Sequence, residues 1–399
     1  MRRCHPDFRR RGRVPLIFLI VGEPSGDALG AKLMAALKRL GPADLRFTGL
    51  AGERMQAEGM QSIFPISDLS VMGLAEVVPR IPRLLGRMRQ TARAIREARP
   101  DVVVSIDAPS FCAGVWRRLH KERPQLIHYV APTVWAWRPG RATKLARTID
   151  RLMCLLPFEP QYFEREGLKA DFVGHPVLES GADQGDGKAF RARHAIASDA
   201  RVLCLLPGSR RGEVRRMLPM FAETVALAAK KFPDLVIVLP TVPAVANEVR
   251  AVARRIAVRT VVIESDADKY DAMAASDAAL AASGTVSLEL ALARVPTVIA
   301  YRINPLTYAI VKHMVKVEYA TITNLLLKRE AVSELLQNEC RPDRLAVEVT
   351  RLIEDRAVRT AQMEAMAEAL MMLGAGGEAP SERAARVVLT EIGAKIGVD

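Results

Sequence analysis

The chain has 399 residues, of which 50% are hydrophobic, 26% charged and 5% aromatic, and it carries a formal net charge of +13. No apolar run approaches the roughly 18–20 residues of a membrane-spanning helix, and the length exceeds what one compact core usually reaches, so two globular domains are expected. The positive balance calls for an anionic partner, either nucleic acid, an anionic membrane surface or phosphorylated substrates.

Residues 1–13 hold six arginines and no apolar pattern, and read as a disordered basic arm or an overextended start. Residues 14–21 (VPLIFLIV) form the first buried strand. They run into Gly22, Glu23 and Asp27 without the small-residue cleavage site of a secretory signal. The turn Gly22-Glu23-Pro24-Ser25-Gly26-Asp27 then opens a helix. It either displays Glu23 and Ser25 at an active edge or is a plain strand-to-helix turn capped by Asp27, and it lacks the GxGxxG spacing of a dinucleotide site. After a strand near 45–50, residues 80–99 place seven arginines against one acid, Glu97. Ile81, Leu84, Leu85, Met88, Ala92 and Ile95 interleave at helical spacing, which predicts a basic amphipathic helix.

A strand at 101–106 ends in Ser105-Ile106-Asp107-Ala108-Pro109-Ser110-Phe111. A carboxylate at that edge can take a proton from a hydroxyl; the alternative is that Asp107 caps the next helix or pairs with an arginine. The strand at 125–130 runs into VAPTVWAWR, where Trp135 and Trp137 either line an apolar or sugar-binding wall or pack in the core. A strand follows at 151–156, and Gly174-His175-Pro176 with the polar run at 180–188 reads as a linker, which puts a boundary near 180.

Strand and helix then alternate afresh, with strands near 201–206, 234–239, 258–263, 277–281 and 296–300. The first of these runs straight into LLPGSRRGEV. Backbone N–H groups at Gly208 and Ser209, a helix start and the forked cation of Arg210 together suit a phosphate. Ser283-Gly284-Thr285 repeats the arrangement after a later strand, with Glu289 one turn on to accept from ribose hydroxyls. Two anion sites in one domain point to a nucleotide diphosphate. Asp266-Ala267-Asp268 matches a DxD pattern, for which a solvated acidic turn is the favoured reading. From about 328 the pattern is helical with no further strand, and helices at 341–399 pack either on the first domain or on a second copy of the chain in a homodimer.

The expected fold is therefore α/β, with two Rossmann-like doubly wound domains at 14–180 and 181–340 whose strand ends face a cleft. Cys4, Cys112, Cys154, Cys204 and Cys340 are scattered, without a CxxC pair, as in a reducing cytoplasm. The six histidines show no HxxxH or HExxH pairing, so no metal site is expected. A nucleic-acid-binding protein would need aromatic platforms or a recognition helix, and neither is visible.

The segments GEPSGD, MGLAEVVPRIP, SIDAPSF, APTVWAWR, LPFEP, VGHP, LLPGSRRGEV, SGTVSLE and TNLLL, in this order over residues 15–340, resemble those of the lipid A disaccharide synthases. The resemblance implies a GT-B glycosyltransferase, inverting and needing no cofactor or metal. It would condense UDP-2,3-diacylglucosamine with 2,3-diacylglucosamine 1-phosphate (lipid X) to lipid A disaccharide 1-phosphate and UDP. It further implies that Asp107 and Arg210 are essential; an inverting transfer needs a base, for which Asp107 is the expected residue and Glu23 the alternative. Ser209, Ser283, Gly284, Thr285, Glu289 and Asn324 would hold the UDP-sugar. Ser25, Met72, Leu74, Val77, Arg83, Arg87 and Trp135 would face the acceptor or an anionic inner-membrane surface from the cytoplasm. Pro24 and Thr323 depart from the usual alanine and proline without removing a reactive group. The first-half motifs separate the chain from UDP-N-acetylglucosamine 2-epimerases and peptidoglycan glycosyltransferases of the same fold.

Overall fold

The computed structural model describes residues 14–69, 74–119, 123–137, 140–282, 284–304, 308 and 317–393; the side chains of residues 74–80 and of Asp266 lie outside that description. The chain divides into two units, residues 1–176 with 377–399, and residues 177–376. Each is built on a six-stranded parallel sheet.

In the first unit the strands are β1 (Leu16–Val21), β2 (Arg46–Leu50), β3 (Val102–Ile106), β4 (Gln125–Tyr129), β5 (Arg151–Cys154) and β6 (Lys169–Phe172), in the order β2-β1-β3-β4-β5-β6. Parallel strands with helices on both faces bury both sides of the sheet, so β1 and β3 are near-continuous apolar runs. Ile17, Leu19, Val21, Val102, Val104 and Ile106 enter one core, and Phe18, Ile20 and Val103 enter the core on the opposite face. Proline occupies the first turn of the helices Pro24–Leu40 and Pro109–Trp116, where its missing N–H leaves no bond unmade.

In the second unit β7 (Val202–Leu206), β8 (Val236–Pro240), β9 (Thr260–Ile263), β10 (Ala278–Ala282), β11 (Thr297–Tyr301) and β12 (Glu334–Leu336) take the order β12-β11-β10-β7-β8-β9. Strand β12 corrects the expectation of helix alone beyond 328. It pairs in parallel with β11 through Ile299–Glu334, Ala300–Leu335 and Tyr301–Leu336.

The stretch expected as one C-terminal block divides. Helix Pro342–Glu354 puts Leu345, Val349 and Leu352 into the second unit's core, and helix Arg356–Met372 also belongs to that unit. Helix Pro380–Glu391 packs instead on Pro24–Leu40 of the same chain, burying Ala384, Ala385, Val388 and Leu389, with an Arg39–Glu382 ion pair at the seam. Cys112, Cys154, Cys204 and Cys340 are buried free thiols.

Two buried groups of the first unit titrate with opposite effects on its stability. His128 is fully buried, its Nδ1 within 3.0 Å of Ser105 Oγ and 3.1 Å of the Ser105 carbonyl, and burial pushes its pKa down to about 4. Unfolded chain takes up that proton near 6.5, so the contribution is full above 6.5 and is lost as the pH falls towards 4, on the order of 3 kcal/mol. Glu159 is pushed up to about 7 by burial, so ionisation costs stability as the pH rises from about 4.5 to 7. His128→Gln is expected to remove part of the acid-side decline and Glu159→Gln part of the neutral-side decline, both read as thermal midpoint against pH. Unchanged pH slopes in both variants would refute these assignments.

Candidate active site

Each sheet reverses its strand order at one place, and each reversal carries the residues singled out in the sequence. In the first unit β1 and β3 are neighbours, although β2 lies on the far side of β1. A crevice opens beyond the carboxyl ends of such a pair, which is where doubly wound proteins bind ligands. Glu23 and Ser25 follow β1 there, and Asp107 follows β3.

The two turns are fitted to one another. Asp107 and Ala108 have left-handed backbones, with φ of 54° and 45°. For residues with a Cβ this costs about 1–2 kcal/mol each, so the turn is held from outside. The Asp107 N–H donates to the Tyr129 carbonyl at 2.9 Å and the Cys112 Sγ–H to the Asp107 carbonyl at 3.4 Å. Gly22 makes the close approach: a Cβ at that position would lie 2.6 Å from the Ala108 Cβ. The Ser25 hydroxyl donates to Asp107 Oδ2 over a long 3.5 Å, leaving the half-buried carboxylate able to accept more. Glu23 is exposed at the helix start, with no side-chain capping bond.

Asp27 does not cap its own helix. Its buried carboxylate accepts from the N–H groups of Gly52, Arg54 and Met55 at 2.8–3.1 Å, capping the neighbouring helix Glu53–Ala57. Trp135 is half-buried, with its ring edge-on to Phe158 at 5.2 Å. Its Nε1–H donates to Glu159 at 3.1 Å, and Glu159 also accepts from the Leu155 and Leu156 N–H groups at 3.0 Å. The APTVWAWR and LPFEP motifs thus meet through one buried carboxylate.

The basic helix spans Leu74–Ala98. Met72 lies outside the described residues, as do the side chains of Leu74 and Val77. Arg83 and Arg87, expected to face the acceptor or an anionic surface, each have an acidic partner on the protein, and the Arg83 side chain is exposed. Both pair with the buried carboxylate of Asp68, and Arg87 also lies 4.5 Å above the Phe64 ring. They tie the helix to the 64–69 segment, and Arg83, Arg89 and Arg93 are all exposed.

In the second unit the reversal falls between β7 and β10. Beyond their ends lies a cavity of about 490 Å³ lined by Gly208, Ser209 and Arg210 after β7, and by Gly284, Thr285 and Glu289 after β10. That volume falls in the range of small-ligand sites. Gly208 has φ 112°, and Arg210 is the N-cap of helix Arg211–Ala229, so N–H groups and a 64% exposed guanidinium border the opening together. Ser283 lies outside the described residues.

Lys269, Thr241 and Ser265 also line this cavity and carry no sequence signal; the pairing of β8 with β7 and of β9 with β8 brings them there. Lys269 Nζ donates to Glu289 Oε2 at 2.6 Å. The Asp266-Ala267-Asp268 stretch is the first turn of helix Asp266–Ala274, where Asp268 and Asp271 pair with Arg193.

Asn324, expected to hold the UDP-sugar, is tied into its own loop. It is fully buried, its amide donates to the Val332 carbonyl and Glu334, and its oxygen accepts from the Ala331 and Val332 N–H groups, all at 2.7–2.9 Å. Two donors and two acceptor positions are thereby used, so Asn324 organises the loop leading to β12.

Two doubly wound units, one with a cavity bordered by glycine turns and an arginine and the other with a strained, carboxylate-bearing turn, make up a GT-B fold. Solved structures share the fold. A UDP-GlcNAc 2-epimerase from Neisseria meningitidis superposes with a TM-score of 0.59 at 14% identity, covering 94% of this chain and 98% of that one. MurG from Acinetobacter baumannii does so with 0.59 at 13% identity, covering 95% and 100%. The family model for lipid-A-disaccharide synthetase matches residues 17–386. The lipid-A-disaccharide synthase of Rhodospirillum centenum is 54% identical over 386 residues, 96% of each chain, and that of Paramagnetospirillum magneticum 50% identical over 379 residues, 94% of this chain and 97% of its own. The chain belongs to the lipid-A-disaccharide synthetase family and is a glycosyltransferase of lipid A biosynthesis.

Proposed function

We propose that the enzyme joins UDP-2,3-diacylglucosamine to 2,3-diacylglucosamine 1-phosphate with inversion at the donor's anomeric carbon. The acceptor's 6-hydroxyl oxygen forms the new bond to that carbon, its proton passes to the Asp107 carboxylate, and the bond to UDP breaks with its electron pair leaving on the diphosphate. Arg210 and the N–H groups at Gly208, Ser209, Gly284 and Thr285 stabilise the departing charge. The observation that carries this reading is the cavity at the β7/β10 reversal, with two glycine turns and an arginine around it. Glu289 is assigned to the ribose and Trp135 to the acceptor side. The test is direct: incubate the purified protein with both lipids and look by mass spectrometry for the disaccharide 1-phosphate and UDP. Epimerised UDP-sugar, or no condensation, would refute the reading.

Both lipids carry two acyl chains, and each buried methylene contributes about 0.8 kcal/mol, so they stay in a bilayer and the enzyme works at its surface. The +13 charge and the basic helix support docking on the anionic face of the inner membrane. An arginine near such a surface contributes about 1 kcal/mol. Reversing Arg89 and Arg93 to glutamate is therefore expected to weaken co-sedimentation with anionic vesicles by roughly tenfold or more, with no change on neutral ones. Sedimentation equal to that of the parent protein would remove this helix from the docking surface.

A further inference from the structure

The cavity assigned to the nucleotide has two carboxylates in its wall, Glu213 and Glu289, which is a liability where a diphosphate must sit. Each is answered by one cation and one tyrosine. Arg210 donates to Glu213 at 3.2 Å with the Tyr301 hydroxyl 3.5 Å away, and Lys269 donates to Glu289 at 2.6 Å with the Tyr270 hydroxyl 3.3 Å away. The two cations are held differently. The Arg210 side chain is 64% exposed on a longer contact, whereas that of Lys269 is 27% exposed on a short one.

We propose that Lys269 is a positioning residue for nucleotide recognition: it fixes and neutralises Glu289, so that this carboxylate accepts from the ribose without repelling the diphosphate. The proposal rests on the cavity being the UDP site. Lys269 and Tyr270 are consecutive on helix Asp266–Ala274 and engage the two oxygens of Glu289 separately, Lys269 on Oε2 and Tyr270 on Oε1. A carboxylate oxygen accepts about two hydrogen bonds, so each keeps capacity for a ligand hydroxyl. Arg210, on its exposed and longer contact, is the cation that turns to the phosphates, while Lys269 stays with Glu289. The division of labour separates a fixed charge, which sets the nucleoside, from a mobile one, which meets the leaving group.

The experiment is a double-mutant cycle on the full chain, reading dissociation constants for UDP and UMP by calorimetry together with kcat and KM. Lys269→Met is expected to weaken UDP about tenfold or more and to act mainly on the KM for the donor, because Glu289 loses its charge-assisted partner. In a Glu289→Gln background the same change is expected to cost less than twofold for either nucleotide. Lys269→Arg is expected to restore UDP affinity to within about threefold, since the cation is kept. If Lys269→Met fails to fold by thermal midpoint, Lys269→Gln takes its place in the cycle. An equal loss in both backgrounds, larger for UDP than for UMP, would make Lys269 a phosphate ligand and overturn the proposal, as would unaltered affinity in Lys269→Met. Failure of the parent protein to bind UDP would instead refute the assignment of the cavity.

Discussion

Asp107→Asn is expected to lower kcat by roughly 10³-fold, the middle of the range for loss of a positioned general base, while UDP affinity stays within about twofold. The substitution is a clean one for a structural reason. Position 107 has φ 54°, and asparagine adopts the left-handed region more readily than other residues with a Cβ, so the turn against Tyr129 and Gly22 survives. Asparagine also keeps an oxygen for the Ser25 hydroxyl. What it lacks is the ability to take a proton from the acceptor's hydroxyl. A steady-state assay of disaccharide formation alongside UDP titration separates the outcomes. Near-parental kcat would move the base elsewhere, with Glu23, exposed at the opposing helix start, next in line; Glu23→Gln would then show the large loss.

The interior of both sheets was legible in the sequence because a parallel strand buried on two faces must be apolar throughout. VVVSI, VLCLL and AALAA are readable for that reason, and each is buried along its whole length. The strands that escaped notice, β6 and β12, both stand at a sheet edge. An edge strand is half in water, so KADF and ELL carry polar residues and are too short for an alternation to register. The same logic divides the site. Asp107, Arg210 and Gly284 sit in turns directly after readable strands and Glu289 in the helix that the last of these turns opens, so sequence order places them at the reversal points.

What sequence order does not carry is pairing across elements. Asp68 meets Arg83 and Arg87 from a separate segment, and Glu159 meets Trp135 across the ends of β5 and β4. The basic helix shows the consequence. Its sequence predicts a basic amphipathic helix with seven arginines, but not that Arg83 and Arg87 share a partner in one buried acid earlier in the chain. Asn324 shows the converse. A residue matching a functional motif spends all its hydrogen bonds on its own loop, so its importance to the fold and to the ligand cannot be separated by motif alone.

Arg210→Ala is expected to reduce kcat/KM by about 10²–10³-fold, the loss seen when one donor to a developing negative charge is removed. Its effect on folding should be slight. The side chain is mostly exposed, makes no capping bond to helix Arg211–Ala229, and its polar contact is with Glu213 on the same turn. Arg210→Lys keeps the charge but loses the two-pronged geometry that suits a phosphate, so it should recover only part of the loss, roughly tenfold below the parent enzyme. Charge on the diphosphate grows as the bond to the sugar breaks, so the deficit belongs mainly in kcat, with UDP dissociation weakened less. Removing the Glu213 charge by Glu213→Gln takes a carboxylate out of the cavity wall and is expected to tighten UDP in the parent background, and by more in Arg210→Ala, where that carboxylate has lost its cation. If Arg210→Ala raised only KM, the guanidinium would be holding the substrate and not easing the departure of UDP. The backbone N–H groups of the two glycine turns would then carry that charge alone.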